Sequence, residues 1–295
     1  MKKKILGTGL SGLVGSRITE LLSSDYEFED VSYSTGVDIT NKNQLLEKFK
    51  NSDASTVLHL AAKADVDGCE KDKELGENGD AWKINVGGTE NVVSSCATTG
   101  KKLIYISTDF IFDGEHTPEN GYKEEDIPNP LNWYAKTKYE GELRVMQSRI
   151  PYIIVRIAYP FRAKFERNDF VRAMKSRLDS NLPIAGITDH IFNPTFIDDI
   201  ANGLNLLITQ WVKGIYHMTG AQSLSPYECA MLIAKEFDLN EGLISKTTRE
   251  AYFKGKAPRP FNVAMNNDKI EKLGIKMRGF EEGIAAIKQQ LEKSE

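Results

Sequence analysis

The sequence predicts an α/β fold, a doubly wound parallel sheet followed by a smaller C-terminal α/β lobe. Three observations carry that prediction. Short β-branched runs alternate with helical stretches through the first half of the chain, the pattern of a parallel sheet covered by helices on both faces. A glycine-rich turn, Gly7-Thr-Gly9-Leu-Ser-Gly12-Leu-Val-Gly15, joins the first strand-like run to the first helical one. Beyond residue 157 the regularity weakens into charged helical stretches and turn-rich segments, which suits two lobes sharing a cleft rather than beads on a linker.

Taken in order, residues 4–7 read as a buried strand, 13–23 as a helix, 30–34 as a second strand, 41–50 as a helix and 55–60 as a strand. Residues 82–97 form a longer helix containing Gly87 and Gly88. Each glycine costs about 1 kcal/mol relative to alanine there, so close packing against a neighbour is expected. Residues 103–107 and 152–157 are further strands. Between them, 109–131 carries Pro118, Pro128, Pro130 and several acids, and is expected to be a surface loop. It leads into a helix over 134–147, with Asn132 as N-cap before Trp133. Helices over 169–178, 226–237 and 280–293 and a short strand near 214–218 complete the reading.

At 295 residues the chain is long enough to bury a large core. With 40% hydrophobic and 27% charged residues it has the composition of a folded globular protein. A net charge of -4 without a long basic block offers no footprint for nucleic acid. Lys2, Lys3 and Lys4 are followed at once by Gly7, Gly9 and Gly12, so no signal-peptide core forms. No stretch approaches the roughly 18 apolar residues of a membrane helix. Cys69, Cys96 and Cys229 are odd in number and widely spaced. That pattern suits reduced thiols of a cytoplasmic protein, and neither a disulfide framework nor a metal site is expected.

The glycine turn follows a strand and opens a helix, the context in which such a pattern binds a dinucleotide pyrophosphate. The glycines permit a tight turn and close backbone approach, and the helix N-terminus supplies N–H donors. A site selective for NADH usually has an acid ending the second strand. In Val31-Ser-Tyr-Ser-Thr-Gly36 there is none, and Glu29 and Asp30 fall too early for a strand over 30–34. Ser32, Ser34 and Thr35 are suited to a phosphate, with Arg17 in reach, so NADPH is favoured over NADH. Asp38 precedes a helix, where an N-cap or an adenine contact is expected.

Tyr134 and Lys138 are four apart in Trp133-Tyr-Ala-Lys-Thr-Lys138. On a helix they share a face, so the ammonium sits near the phenol and favours phenolate, tuning a general acid. With 11 tyrosines in the chain, about one chance Tyr-x-x-x-Lys is expected. Tyr252 and Lys256 supply a second copy, but Gly255 and Ala257-Pro-Arg-Pro260 discourage a helix there, so Tyr252 reads as structural.

Together with Asp38-Ile39, His59-Leu-Ala-Ala62, Asn85-Val-Gly-Gly-Thr89 and Ser107-Thr-Asp109, these motifs resemble the extended short-chain dehydrogenase/reductases, which bind NAD(P) on a Rossmann fold. Val66-Asp-Gly-Cys-Glu70, Ser107 to Gly114, Asn193-Pro-Thr195 with Asp198-Asp-Ile-Ala201, and Arg259-Pro260 resemble the dTDP-4-dehydrorhamnose reductase branch. The resemblance covers nearly the whole chain. It implies that Thr108 holds the substrate carbonyl oxygen, that Tyr134 protonates it, and that Lys138 holds the nicotinamide ribose while lowering the Tyr134 pKa. It also implies a cofactor groove formed by Gly9, Ser11, Gly12, Leu13, Gly15, Asp38, Ile39, Ala61, Ala62, Lys63 and Lys138. Thr108, Tyr134, Tyr159 and Arg259 would meet the substrate. His59 reads as a packing residue, and Asn85 stays open between a structural and a catalytic role.

The implied function is NAD(P)H-dependent reduction of the 4-keto group of a nucleotide-activated 6-deoxy sugar, dTDP-linked. Residues 1–155, joined by about 190–212, would form the cofactor domain, and 156–295 mainly the substrate lobe. Lys63, Ala64, Tyr159 and Asp189-His-Ile-Phe192 depart from the branch pattern near the sugar. Two alternatives stand beside this reading: an epimerase or dehydratase on the same scaffold, or a non-catalytic NADP-binding subunit resembling the methionine adenosyltransferase β subunit. Phe110 after Asp109, where the dehydratases carry a second acid, disfavours dehydration. Monomer and homodimer are both open, and no metal ligand set is readable.

Overall fold

In the computed structural model, which describes residues 2–293, the chain opens with β1 (Lys3–Thr8), α1 (Leu13–Leu22), β2 (Tyr26–Asp30), α2 (Lys42–Asn51) and β3 (Thr56–His59). It continues through α3 (Val66–Lys71), α4 (Asp80–Trp82), α5 (Thr89–Thr99), β4 (Lys102–Thr108), α6 (Trp133–Met146) and β5 (Tyr152–Ile157). The remainder comprises β6 (Pro160–Phe161), α7 (Phe170–Asp179), β7 (Ile184–Ile187), β8 (Thr195–Phe196), α8 (Ile197–Gln210) and β9 (Gly214–His217). Last come α9 (Pro226–Glu236), β10 (Ile244–Thr247), α10 (Arg249–Tyr252), α11 (Asp268–Glu271) and α12 (Phe280–Glu292). Among the described residues, no helix is long and apolar enough to cross a membrane.

Six parallel strands run in the order β2-β1-β3-β4-β5-β9, the doubly wound arrangement expected. Alternation along each strand assigns its two faces. Ile5, Leu58, Ile104 and Ile153 pack with Ile18 of α1 and Leu204 of α8. Their neighbours Leu6, Val57, Leu103 and Ile154 pack with Phe49 of α2, Val92 of α5 and Val145 of α6. A second core joins Phe161, Phe192, Phe196, Ile233 and Phe280 of the later elements. Around it lie two short parallel pairs, β7 with β10 and β6 with β8.

The second strand differs from the expectation. It ends at Asp30, which pairs in register with Gly7, and Tyr33–Thr35 instead form a 3₁₀ turn. Ser32 and Thr35 cap that turn reciprocally and Gly36 leaves it at φ 79°, so the local hydroxyls capture the backbone from the sheet. Asp30 therefore closes the strand, and the stated absence of an acid there is corrected.

Residues 80–99 form one helical run with a π turn at Lys83–Gly88. A Cβ on Gly88 would come within 2.5 Å of Ile39 Cδ1, whereas Gly87 faces open space. Only the second glycine thus answers to close packing. The α6 helix is capped by Asn132, whose Oδ1 accepts from the Ala135 N–H at 2.8 Å. It is pinned to β5 by a fully buried ion pair in which Arg156 donates twice to Glu142, at 3.1 and 2.9 Å.

Candidate active site

The glycine turn is built by backbone rather than by side chains. Gly9 adopts φ +71°, and a Cβ there would lie 2.7 Å from the Ala61 nitrogen. One on Gly15 would lie 2.5 Å from the Gly9 carbonyl. Any side chain at these two places would push the turn off β3 and α1. Gly12 is the N-cap of α1 and contributes no side-chain cap, and no acid lies in the first turn. The leading N–H groups of this helix are therefore available to an anion.

One cleft begins at this turn and runs past Ala62 to Thr108, Asp109, Phe110, Tyr134, Lys138 and Tyr159. Thr108 ends β4 and Tyr134 opens α6, so the sheet and the capped helix deliver both hydroxyls to one wall. Burial pushes the Tyr134 phenol above its ordinary value, while the Thr108 hydroxyl acts in the opposite sense. Burial likewise brings the Lys138 ammonium down to about 7. Its Nζ donates to the Ile106 carbonyl at 2.8 Å and lies 4.2 Å from the Tyr105 ring centroid. The expected lowering of the Tyr134 pKa by Lys138 is thus not what this state displays. Desolvation of the phenol dominates, and the ammonium is occupied by a carbonyl.

Asp109 is the acid of this wall. Thr108 Oγ1 donates to its Oδ1 at 2.9 Å, and its buried Oδ2 has no partner. Burial raises its carboxyl to about 7. Ser107 Oγ is also buried without a partner and lines the same cleft. Two orphaned polar atoms beside a glycine cradle fit a polar ligand that completes the hydrogen bonding. Asp109 belongs to the Ser107-Thr-Asp109 motif, but its depth below the surface is a tertiary fact that the motif does not carry.

Other expected site residues lie off the cleft lining. Ser11 is exposed on the turn and accepts from Ser34 Oγ at 3.1 Å. Asp38 accepts from the backbone and hydroxyl of Thr40, each at 2.8 Å, while Asn41 takes the N-cap of α2. Ile39 packs beneath Gly88. Ala61 abuts Gly9. Lys63 turns its ammonium to Asp72 at 2.7 Å, and Asn85 clamps the Lys63 backbone from both sides, at 2.8 and 3.1 Å. Arg259 is held by Asp67 at 2.9 Å. Arg17 pairs with Asp198 at 2.7 Å and with Glu20, which corrects its expected reach toward a 2′-phosphate. Ser32 accepts from the Gly9 N–H at 2.8 Å and donates to Asp30. His59 is locked between Thr8 and Thr89, and burial holds it down to about 3. Tyr252 lies on a single exposed helical turn away from the cleft.

A family model described as RmlD substrate binding domain matches residues 2–293. The chain belongs to this family. Among similar proteins, the methionine adenosyltransferase 2 subunit β of Xenopus laevis is 30% identical over 300 residues, covering 94% of this chain and 84% of that protein. The dTDP-4-dehydrorhamnose reductase of Aggregatibacter actinomycetemcomitans is 30% identical over 299 residues, covering 97% and 98%. A solved dTDP-4-dehydrorhamnose reductase of Bacillus anthracis in complex with NADP superposes with a TM-score of 0.89 at 29% identity, covering 98% of this chain and 100% of that one.

Within this RmlD-family chain the far wall of the cleft has its own chemistry. Tyr159 sits at φ 39°, an uncommon conformation for a bulky residue. It is held there by stacking on Phe192 at 3.7 Å between centroids and by a 2.7 Å hydrogen bond to His190 Nε2. His190 Nδ1 lies 2.7 Å from the Pro260 carbonyl, which can only accept. That fixes the proton on Nδ1 and leaves Nε2 to accept from the Tyr159 hydroxyl. Burial lowers His190 to about 4, so it stays neutral near neutral pH. Phe110 bridges this wall to Tyr134, with centroids 5.9 Å from Tyr159 and 6.1 Å from Tyr134. Three of the positions where the sequence departs from the branch pattern, Tyr159, His190 and Phe192, thus form one packed unit.

Proposed function

We propose that this chain reduces the 4-keto group of a nucleotide-activated 6-deoxy sugar, with dTDP-4-dehydrorhamnose as the leading substrate. The observation that carries the reading is that Thr108, Tyr134 and Lys138 enter the same cleft as the glycine turn. A binding module needs the turn alone. The cofactor is NADPH or NADH: the NADP complex of the Bacillus anthracis relative supports the first, and Asp30 at the end of β2 keeps the second open.

In this reading the leading N–H groups of α1, those of Leu13 and Gly15 among them, hold the dinucleotide, Gly9 and Gly12, whose own N–H groups are bonded within the protein, let it approach the backbone, and Ala62 and Lys138 flank its nicotinamide half. When bound, the cofactor supplies a hydride to the ketone carbon. Tyr134 donates to the oxygen on which negative charge then develops, and Thr108 joins it by turning its proton from Asp109 Oδ1 to that oxygen. Tyr134 Oη gives that oxygen its proton, and Lys138, protonated beside the resulting phenolate, stabilises it. Tyr159, its proton committed to His190, offers only lone pairs and stays out of the proton transfer. The substrate lobe positions the sugar nucleotide, and the protein acts as a monomer or homodimer.

Gly9→Ala is expected to weaken NADPH binding by at least about tenfold, since the αL conformation alone costs roughly 1–2 kcal/mol and the Cβ collides with Ala61. Fluorescence titration of the cofactor checks this. For the reaction, purified protein is mixed with NADPH and dTDP-4-keto-6-deoxy-L-mannose, and cofactor absorbance is followed. A fall in absorbance with formation of dTDP-rhamnose supports the reductase. Tight NADPH binding without oxidation by this or another keto sugar nucleotide would favour the non-catalytic NADP-binding subunit, the alternative that similarity to the Xenopus laevis methionine adenosyltransferase 2 subunit β supports.

A further inference from the structure

We propose that Arg167 is a cationic clamp over the pyrophosphate of the bound dinucleotide; this rests on the reading that the glycine-turn cleft takes NADPH or NADH. Arg167 belongs to the segment between β6 and α7, on the other lobe, yet it lines the cleft together with Gly9, Gly12 and Leu13. The backbone of its segment is stapled down. Arg172 donates to the carbonyls of Phe165 and Arg167, each at 2.6 Å, and is itself held by Asp169 at 2.8 Å. Asp169 also caps α7 and accepts from the Arg162 N–H at 3.2 Å. The Arg167 side chain, by contrast, is exposed, and no hydrogen bond or ion pair to it is found among the described residues.

The other cations beside the glycine turn and within the cleft are committed elsewhere. Arg17 is bound to Asp198 and Glu20, Arg162 to Glu20 and Ser16, and Lys138 to the Ile106 carbonyl deep in the cleft. A pyrophosphate diester brings two negative charges to a helix N-terminus whose first turn, Leu13 to Ser16, holds no cation, and Arg17 in the next turn is already paired. A guanidinium on a fixed backbone matches such an anion with forked, charge-assisted hydrogen bonds. A 2′-phosphate is the poorer partner, because Ser32, Ser34 and Thr35, beside which it would fall, do not line the cleft that Arg167 lines.

The test titrates the full-length protein with NADPH, NADH and dTDP at low and high salt, comparing wild type with Arg167→Ala and Arg167→Lys. Arg167→Ala should weaken both dinucleotides about tenfold at low salt, the scale of a hydrogen bond to a charged group. The loss should shrink as salt rises, Arg167→Lys should recover part of it, and dTDP affinity should not change. Unchanged dinucleotide affinity overturns the proposal. So does a loss confined to NADPH, which marks a 2′-phosphate contact, or one confined to dTDP, which marks the sugar-nucleotide site. Wild type that binds both dinucleotides but reduces no keto sugar nucleotide sinks the reductase reading and leaves the clamp standing. Wild type that binds neither dinucleotide overturns both.

Discussion

Tyr134→Phe is expected to lower kcat for keto-sugar reduction by about 10²- to 10⁴-fold, the contribution of a positioned general acid, while leaving the dissociation constant of NADPH within about twofold. At 1.36 kcal/mol per decade that corresponds to roughly 3–5 kcal/mol of transition-state stabilisation. The phenylalanine ring fills the same space against Phe110 and loses only the hydroxyl that faces Thr108. The fold should therefore be unaffected, and an unchanged denaturation midpoint is the control. A comparable fall in cofactor affinity would instead mean that the hydroxyl holds the nicotinamide half.

Glu142→Ala should destabilise the protein by about 3–5 kcal/mol, read from the shift of a urea denaturation curve. Arg156 and Glu142 are 2% and 0% exposed, and removing one partner leaves a buried charge without its counterion. The Glu124 carbonyl at 3.2 Å and His217 remain as partners but carry no opposing charge in full. Changing both residues together, Glu142→Leu with Arg156→Met, should recover most of the loss, since apolar replacement of a buried pair is often close to neutral. If the double variant is as unstable as the single one, the pair holds α6 by more than charge. Because Tyr134 lies on the same helix, activity should fall with the single variant near its unfolding transition.

Much of this was legible in the sequence because it rests on local chemistry. The short apolar and β-branched runs located β1, β3, β4 and β5, and Asn132 marked the start of α6 through its own capping bond. The glycine turn announced its conformation because only glycine fits at Gly9. The second strand lies earlier than its sequence suggests: Val31-Ser-Tyr has strand-like composition, but the reciprocal capping of Ser32 and Thr35 and the αL Gly36 win locally. That shift moved Asp30 to the strand end and changed the reasoning about the adenine ribose. The commitment of Arg17 is hidden for another reason: its partner Asp198 is 181 positions away, and no pattern in the sequence links them. The raised pKa of Asp109, the committed ammonium of Lys138 and the Tyr159–His190 pair likewise depend on depth and on contacts between elements distant in sequence. Arg167 had no signal at all, since an exposed arginine in an irregular segment looks like any other.

The central claim is that hydride passes to a sugar carbonyl within this cleft. The most direct measurement supplies NADPH deuterated at the transferable position of the nicotinamide, together with dTDP-4-keto-6-deoxy-L-mannose, and locates the label in the product by NMR. The account predicts dTDP-rhamnose carrying deuterium at C4 with wild type, and no labelled product above background with Tyr134→Phe over the same time. Cofactor bound at the glycine turn with no deuterium delivered to any keto sugar nucleotide would contradict it.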